Sequence, residues 1–272
     1  MSSSGRFVWY ELATTDADRA KAFYNAVVGW NTADISTPGS GYTLFMAGDT
    51  PVAGLTNLPA EAVTMGSTPE WRGYVRVDNV DAFSIRAVEL GGTIRVPPTD
   101  VPNVSRFCVV ADPQGAMLAL VKGRESGMRS ALKPGAPGHI GWHELVAPES
   151  EKAFGFYSAL LGWQKSNSSP DPFGTYQEFS DGTDPIGGVF TKSGSPLAFW
   201  LFYFNVEDVV AAAKAAEAHG GKIHYGPIAA ARGTRIVHCS DPQGALFGLL
   251  DRHVRLEIAC YAPRDVRGGP SR

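Results

Sequence analysis

Cysteine is scarce in this chain of 272 residues: Cys108, Cys239 and Cys260 make an odd number with no close pair. That excludes a disulfide framework and a thiolate zinc site, and leaves buried, idle thiols in a reducing compartment as the expectation. Charge of one sign is missing too. The 24 basic and 27 acidic residues nearly cancel, to a net charge of −3, and no basic block stands out. The electrostatic footprint of a nucleic-acid binder is therefore absent. Long hydrophobic runs are lacking as well: the longest, PLAFWLFYFNV, is about half of the ~20 residues that a membrane span needs, and the N-terminal MSSSGRF has no apolar signal core. These absences lead us to expect a cytoplasmic protein, monomer or homodimer, with neither nucleic acid nor membrane as partner. What the chain does have is 44% hydrophobic residues, 11% of all residues being aromatic, enough for a substantial core.

It also has an internal repeat. FVWYELATTDADRAKAFYNAVVGW, from Phe7, aligns with IGWHELVAPESEKAFGFYSALLGW, from Ile140, at an offset of 133 (Trp142 minus Trp9). VVADPQGAMLALVKG, from Val109, aligns with HCSDPQGALFGLLDR, from His238, at an offset of 129 (Asp241 minus Asp112). All six tryptophans pair off: Trp9 with Trp142, Trp30 with Trp163, Trp71 with Trp200. We read residues 6–122 and 139–255 as two modules, 123–138 as a Gly/Pro-rich linker and 256–272 as a tail.

Each copy opens with an alternating strand segment, VWYELA or GWHELV, followed by a helix. Ala20, Phe23, Tyr24 and Val27 recur at the spacing of one buried helical face, with Thr14 or Thr15 as cap and Gly29 as stop; Ala153, Phe156, Tyr157, Leu160 and Gly162 repeat the pattern. Strand-like stretches come next, then a strand with Trp71 or Trp200, a second helix ended by Gly91-Gly92 or Gly220-Gly221, and a hairpin turned by Asp-Pro-Gln-Gly. Trp30 and Trp163, directly after the helix-ending glycines, are expected in the core.

The segments FYNAVVGW and FYSALLGW, each beginning seven residues after Asp16 or Glu149, together with the two DPQG turns, resemble the hallmark segments of the vicinal oxygen chelate superfamily (glyoxalase, bleomycin resistance, dioxygenase). The resemblance covers nearly all of both modules and is nearest to two-module glyoxalase-like proteins of actinobacterial type. It implies an α+β fold of tandem βαβββ modules, with cupped mixed sheets that receive small molecules and helices outside. Members with metal chemistry take ligands from the first strand, seven residues before the acidic residue that heads the helix, and from the last strand, seven residues after the aspartate of the turn. Here those positions carry Trp9 and Trp142, and Ala119 and Gly248, none of which ligates a metal. The resemblance therefore implies no resident metal and no cofactor, and speaks against metal-dependent glyoxalase I or extradiol dioxygenase chemistry. All six histidines lie in the second copy, and a metal site outside the family pattern would draw on His143 or His238.

Alternation then places Trp9, Glu11 and Ala13 on the cup face of the first module, and Trp142, Glu144 and Val146 on that of the second. Tryptophan beside glutamate offers an aromatic platform with a carboxylate that accepts a polar hydrogen or acts as a base. Alternatively the tryptophan fills space and the glutamate pairs with Arg106 or Arg235, which would otherwise bind ligand. Trp71 and Trp200 belong either to the cup lining or to the helix-facing core. His143, on the face opposite Glu144, suits the core or a contact between modules, and it is also an acid/base candidate because its ordinary pKa is near neutrality. Two functions follow. One is a small-molecule binder for an aromatic or apolar metabolite, in a sequestering or accessory role. The other is a metal-independent lyase, isomerase, cyclase or hydroxylase-type enzyme with Glu11 or Glu144 as general base.

Overall fold

A computed structural model of the chain describes residues 4–37, 40–123, 133, 135–171, 174–192, 198–230 and 233–252. The expected tail, His253, Cys260 and most of the expected linker lie outside the described residues.

The first module runs β1 (Phe7–Thr14), α1 (Ala17–Val28), β2 (Asn31–Thr37), β3 (Ser40–Ala47), β4 (Thr50–Asn57), a short α2 (Ala60–Thr64), β5 (Glu70–Arg76), α3 (Val80–Glu89), β6 (Thr93–Val101), β7 (Ser105–Ala111) and β8 (Met117–Gly123). The second repeats it as β9 (Ile140–Ala147), α4 (Ser150–Leu161), β10 (Gln164–Asp171), β11 (Gly174–Ser180), β12 (Pro185–Thr191), β13 (Phe199–Asn205), α5 (Val209–Ala218), β14 (Lys222–Ala229), β15 (Thr234–Ser240) and β16 (Leu246–Arg252). The sheets are ordered β2-β3-β4-β1-β5-β8-β7-β6 and β10-β11-β12-β9-β13-β16-β15-β14. Within each, β1 pairs β4 and β5 pairs β8 in parallel while β1 meets β5 antiparallel, and the second sheet repeats this. Each module is thus a mixed eight-stranded sheet with helices outside, in which the βαβββ unit that the resemblance implies occurs twice. The strands the pattern hides are the edge strands: β6, TIRVPPTDV, is mostly exposed and carries two prolines, so it has neither the alternation nor the ladder donors of an inner strand.

Helix α1 buries Ala20, Phe23, Tyr24 and Val27, as its spacing requires, and stops at Gly29 in the left-handed conformation at φ 81°. Its cap is Asp16, whose side chain accepts from the Arg19 amide at 3.0 Å, rather than Thr14 or Thr15. Thr14 falls inside β1, where strand pairing has already claimed its backbone.

The helix-facing rows of the two sheets join in one apolar core. Helix α1 lies beside α5, and α3 beside α4. The contacts across this seam are reciprocal, in the manner of a twofold. Trp30 Nε1 donates to the Gly138 carbonyl at 2.7 Å, and Trp163 Nε1 to that of Gly5 at 2.6 Å. Tyr24 on α1 donates to Asp241 in the second DPQG turn at 3.1 Å, and Tyr157 on α4 reaches the Ala116 carbonyl after the first, at 3.3 Å. The residues that carry the family resemblance therefore weld the modules together. On the axis sit repeat-equivalent residues, Tyr10 and His143: the Tyr10 hydroxyl donates to His143 Nε2, whose Nδ1–H donates to the Ile186 carbonyl, both at 2.5 Å. Phe7 stacks on the same imidazole at 3.9 Å between centroids.

Candidate functional site

Period two sends the alternate residues of the central strands to the opposite, cup face. In the first module the register sets Trp9 across from Tyr74, and Glu11 across from Arg72 on one side and Gly54 on the other. In the second it sets Trp142 across from Tyr203, and Glu144 across from Leu201 and Gly188. Tyrosines complete both constellations. Trp9 Nε1 donates to the Tyr42 hydroxyl at 3.0 Å, and the Tyr74 hydroxyl donates to Glu11 Oε1 at 3.0 Å. Trp142 Nε1 donates to Tyr176 at 2.7 Å, and Tyr203 to Glu144 Oε2 at 2.7 Å. Tyr42 and Tyr176 also hydrogen-bond the glutamates, so each carboxylate is held by two phenols, one of which takes the indole N–H.

Tyr42 and Tyr176 reach the glutamates only because the strand between is bare: a Cβ at Gly54 or Gly188 would lie 1.9 or 2.1 Å from the phenol. Gly188→Ala is accordingly expected to displace Tyr176 and cost about 1–3 kcal/mol in urea unfolding. In a Tyr176→Ala background the same change becomes nearly neutral; an undiminished cost there shows that the ring is not what the new methyl meets.

Electrostatics differ between the cups. Burial pushes the Glu11 carboxyl above its ordinary pKa, while bonds from Tyr42 and Tyr74 and the Arg72 charge pull it back. Arg72 also bonds Glu70, so the first cup holds a compensated cluster of charge. In the second cup the position across from the glutamate is Leu201. Instead the Tyr203 hydroxyl lies 2.7 Å from His238 Nε2, and burial, with Lys192 and His224 nearby, pushes that histidine down to about 4. Glu178, also buried in the second module, receives Asn167 Nδ2 at 3.1 Å.

Of the residues singled out in sequence, the structure brings Trp9 to Glu11 and Trp142 to Glu144. It corrects the others. Trp71 and Trp200 face the helices, donating to Tyr24 at 2.7 Å and Tyr157 at 3.1 Å, because they alternate with the cup-facing Arg72 and Leu201. Arg106 and Arg235 do not reach the glutamates. Arg106 holds Asp81 at 2.8 Å and Asp100 at 3.1 Å, and Arg235 holds Asp251 and, at 3.3 Å, Asp208. Both sit one residue off the cup-facing parity of β7 and β15. His143 is sealed in the seam between modules, pushed down to about 4 by burial, and so cannot act as an acid or base on a cup ligand. It lies on the opposite face from His238, which rules out an ion shared by the two. The four tyrosines, Arg72 and the link to His238 went unread in the sequence, although Tyr42/Tyr176 and Tyr74/Tyr203 are themselves repeat-equivalent.

The family's metal positions can be tested on this geometry. Trp9 and Trp142 occupy the first-strand positions, Ala119 is paired beside Tyr74, and Gly248 lies so close to the Tyr203 ring that a Cβ would come within 2.3 Å of it. Among the described residues no three His, Cys, Asp or Glu side chains converge. Among the described residues, the side chains at the positions that the resemblance assigns to a metal are not donors of the kind a metal centre uses. Among them, too, no helix is long and apolar enough to cross a membrane, and Cys108 and Cys239 are buried free thiols.

Fold and site define a class: tandem eight-stranded α+β modules, fused through their helical faces, each presenting a polar-aromatic cup. The chain belongs to the Glyoxalase/Bleomycin resistance protein/Dioxygenase superfamily, whose pattern it matches over residues 6–120 and 137–249. It is 32% identical over 246 residues to CFP32 of Mycobacterium tuberculosis, a protein named as a glyoxylase, covering 89% of this chain and 93% of that one. It is 29% identical over 264 residues to the anthracycline biosynthesis protein DauV of Streptomyces sp. (strain C5), covering 91% and 93%. The fold is shared with the Mn(II)-bound glyoxalase of Novosphingobium aromaticivorans (TM-score 0.64, 17% identity, 93% of this chain and 83% of that). It is shared too with the 2,3-dioxygenase LapB of Pseudomonas sp. KL28 (TM-score 0.63, 13% identity, 92% and 93%).

Proposed function

We propose that this protein binds a planar aromatic metabolite bearing hydroxyl or carbonyl oxygens, without a protein-held metal, against the tryptophan and glutamate of its cups. The observation that carries this reading is the duplicated set of tryptophan, glutamate and two tyrosines: Trp9, Tyr42, Glu11 and Tyr74 recur as Trp142, Tyr176, Glu144 and Tyr203. An indole anchored through its N–H is held in a fixed orientation as a planar apolar surface, and a carboxylate braced by phenols accepts a ligand hydrogen at little cost in order. The names of the relatives support the ligand class, since anthracyclines contain a planar, hydroxylated, quinone-bearing ring system. Proton transfer by Glu11 or Glu144 is the second reading, favoured by the upward push that burial gives the Glu11 carboxyl.

Fluorescence titration with a hydroxyanthraquinone tests the proposal. Trp142→Ala and Glu144→Gln are each expected to weaken binding about tenfold or more. Unchanged affinity in both, and in the matching Trp9 and Glu11 variants, would overturn it. Stoichiometric metal that survives dialysis would remove the metal-free part.

A further inference from the structure

The cups share their tryptophan, glutamate and tyrosines but differ in what stands behind them. At the position three residues before the turn aspartate, the first module has Val109, set across from Ala119, and the second has His238, set across from Gly248. Opposite the glutamate, the first has Arg72 and the second Leu201. The Glu11 carboxylate therefore has Arg72 beside it, whose charge offsets part of the upward push of burial, and no histidine in reach of Tyr74 at the position of His238. Glu144 is instead linked through Tyr203 to a histidine. Tyr203 Oη is 2.7 Å from Glu144 Oε2 and 2.7 Å from His238 Nε2, while His238 and Glu144 are themselves 3.9 Å apart. The Glu144 side chain is 7% exposed and that of His238 24%, so the histidine is the end of the chain that water reaches.

Resting on the reading of the cups given above, we propose that the second cup alone is a proton-transfer site, in which His238 relays a proton through Tyr203 to Glu144 for delivery to a carbonyl or quinone oxygen of the ligand. The step balances. A proton enters at His238 Nδ1, the Nε2 proton passes to Tyr203 Oη, and the Tyr203 proton passes to Glu144 Oε2. Histidine and tyrosine end neutral, the carboxylate becomes a carboxyl, and no electrons change hands. The microscopic reverse returns the proton to solvent. Groups facing His238 come from every neighbouring element: Glu144 on β9, Lys192 at the end of β12, Tyr203 on β13, and His224 and Tyr225 on β14. Lysine and histidine both disfavour a resident charge on the imidazole, which suits a relay that passes protons without keeping one.

The test needs no ligand, so its failure is distinct from failure of the binding proposal. In the full chain carrying ¹⁵N-histidine and carboxyl-¹³C glutamate, NMR is expected to show His238 as the Nε2–H tautomer above pH 5. His238→Gln should raise the Glu144 midpoint by about one pH unit or more, as expected of coupled sites. In a Tyr203→Phe background, His238→Gln should move that midpoint by less than half as much. A His238 with its proton on Nδ1, a Glu144 midpoint unmoved by His238→Gln, or an effect undiminished without the phenol would each overturn the relay. Should the variants not fold, the tautomer of the unaltered protein still decides. In the first cup, Val109→Ala should leave the Glu11 midpoint where it is; a matching shift there would overturn the claim that the second cup alone is the site.

Discussion

Trp163→Ala is expected to lower the unfolding free energy by about 3–5 kcal/mol, the upper range for truncating a buried aromatic. The indole is almost fully enclosed, stacked on Phe179 at 4.8 Å and Tyr157 at 5.5 Å, and within 5.6 Å of Phe7 from the other module. Its N–H satisfies the Gly5 carbonyl, so truncation leaves a cavity and an unpaired acceptor on opposite sides of the seam. Against a typical total stability of about 5–15 kcal/mol, such a loss brings the chain close to unfolding. Urea denaturation measures it as a lower midpoint. Trp30→Ala, its equivalent, should match it within about 1 kcal/mol, and both should unfold the two modules in one transition because each removes a contact that both modules share. Trp142→Ala, in the partly exposed cup, serves as contrast and should cost less than half as much. Equal losses would show that the cup tryptophan is structural, not a platform for ligand.

Acid should weaken the seam through His143. Its folded pKa is pushed down to about 4 by burial, from the ordinary 6.5, so the folded state binds fewer protons than the unfolded one in that interval. The contribution is fully present above pH 6.5 and drains as pH falls towards 4, by about 3 kcal/mol for a shift of this size. His238, also near 4, adds a loss of the same sign. Asp112, Asp241 and Glu11 act oppositely, because burial raises their folded pKa values and protonation relieves them as pH falls. The clean observable is therefore a difference. Urea unfolding at pH 7 and pH 4.5 should show a smaller drop for Tyr10→Phe/His143→Leu than for the unaltered chain, by about 2–3 kcal/mol. The double change matters because His143→Leu alone strands a buried tyrosine hydroxyl. Equal drops would mean that His143 keeps contact with water and is not sealed between the modules.

Much of the architecture is legible in the sequence because duplication writes it twice. Tryptophan pairs at fixed offsets mark the modules, helical spacing marks the faces of α1 and α4, and glycine marks where each stops. The edge strands were not legible. Half-solvated and polar, β2 and β6 earn no hydrophobic period, and only their hydrogen bonding to β3 and β7 makes them strands. The candidate site was half legible: alternation along β1 and β9 placed Trp9 beside Glu11 and Trp142 beside Glu144. Their tyrosine partners come from strands more than 30 residues away, and Arg106 and Arg235 misled because repeat equivalence says nothing about parity within a strand.

The sequence by itself determined the duplication, the buried faces of the first helix in each module and the placing of tryptophan beside glutamate on one strand face. Each of these is local or periodic, fixed by residue type and spacing along one segment. Only the tertiary structure decided which aromatic faces which way. It turned Trp30, Trp71 and their equivalents, with the FY and DPQG segments, into the seam between modules, and it placed Tyr10 and His143 on the axis. It also gave the two glutamates unlike neighbours, Arg72 for Glu11 and the path to His238 for Glu144. The physical reason is that a strand's period of two separates its faces without naming them. Which face meets a partner module and which meets a ligand is set by register between strands and by burial against residues more than a hundred positions away.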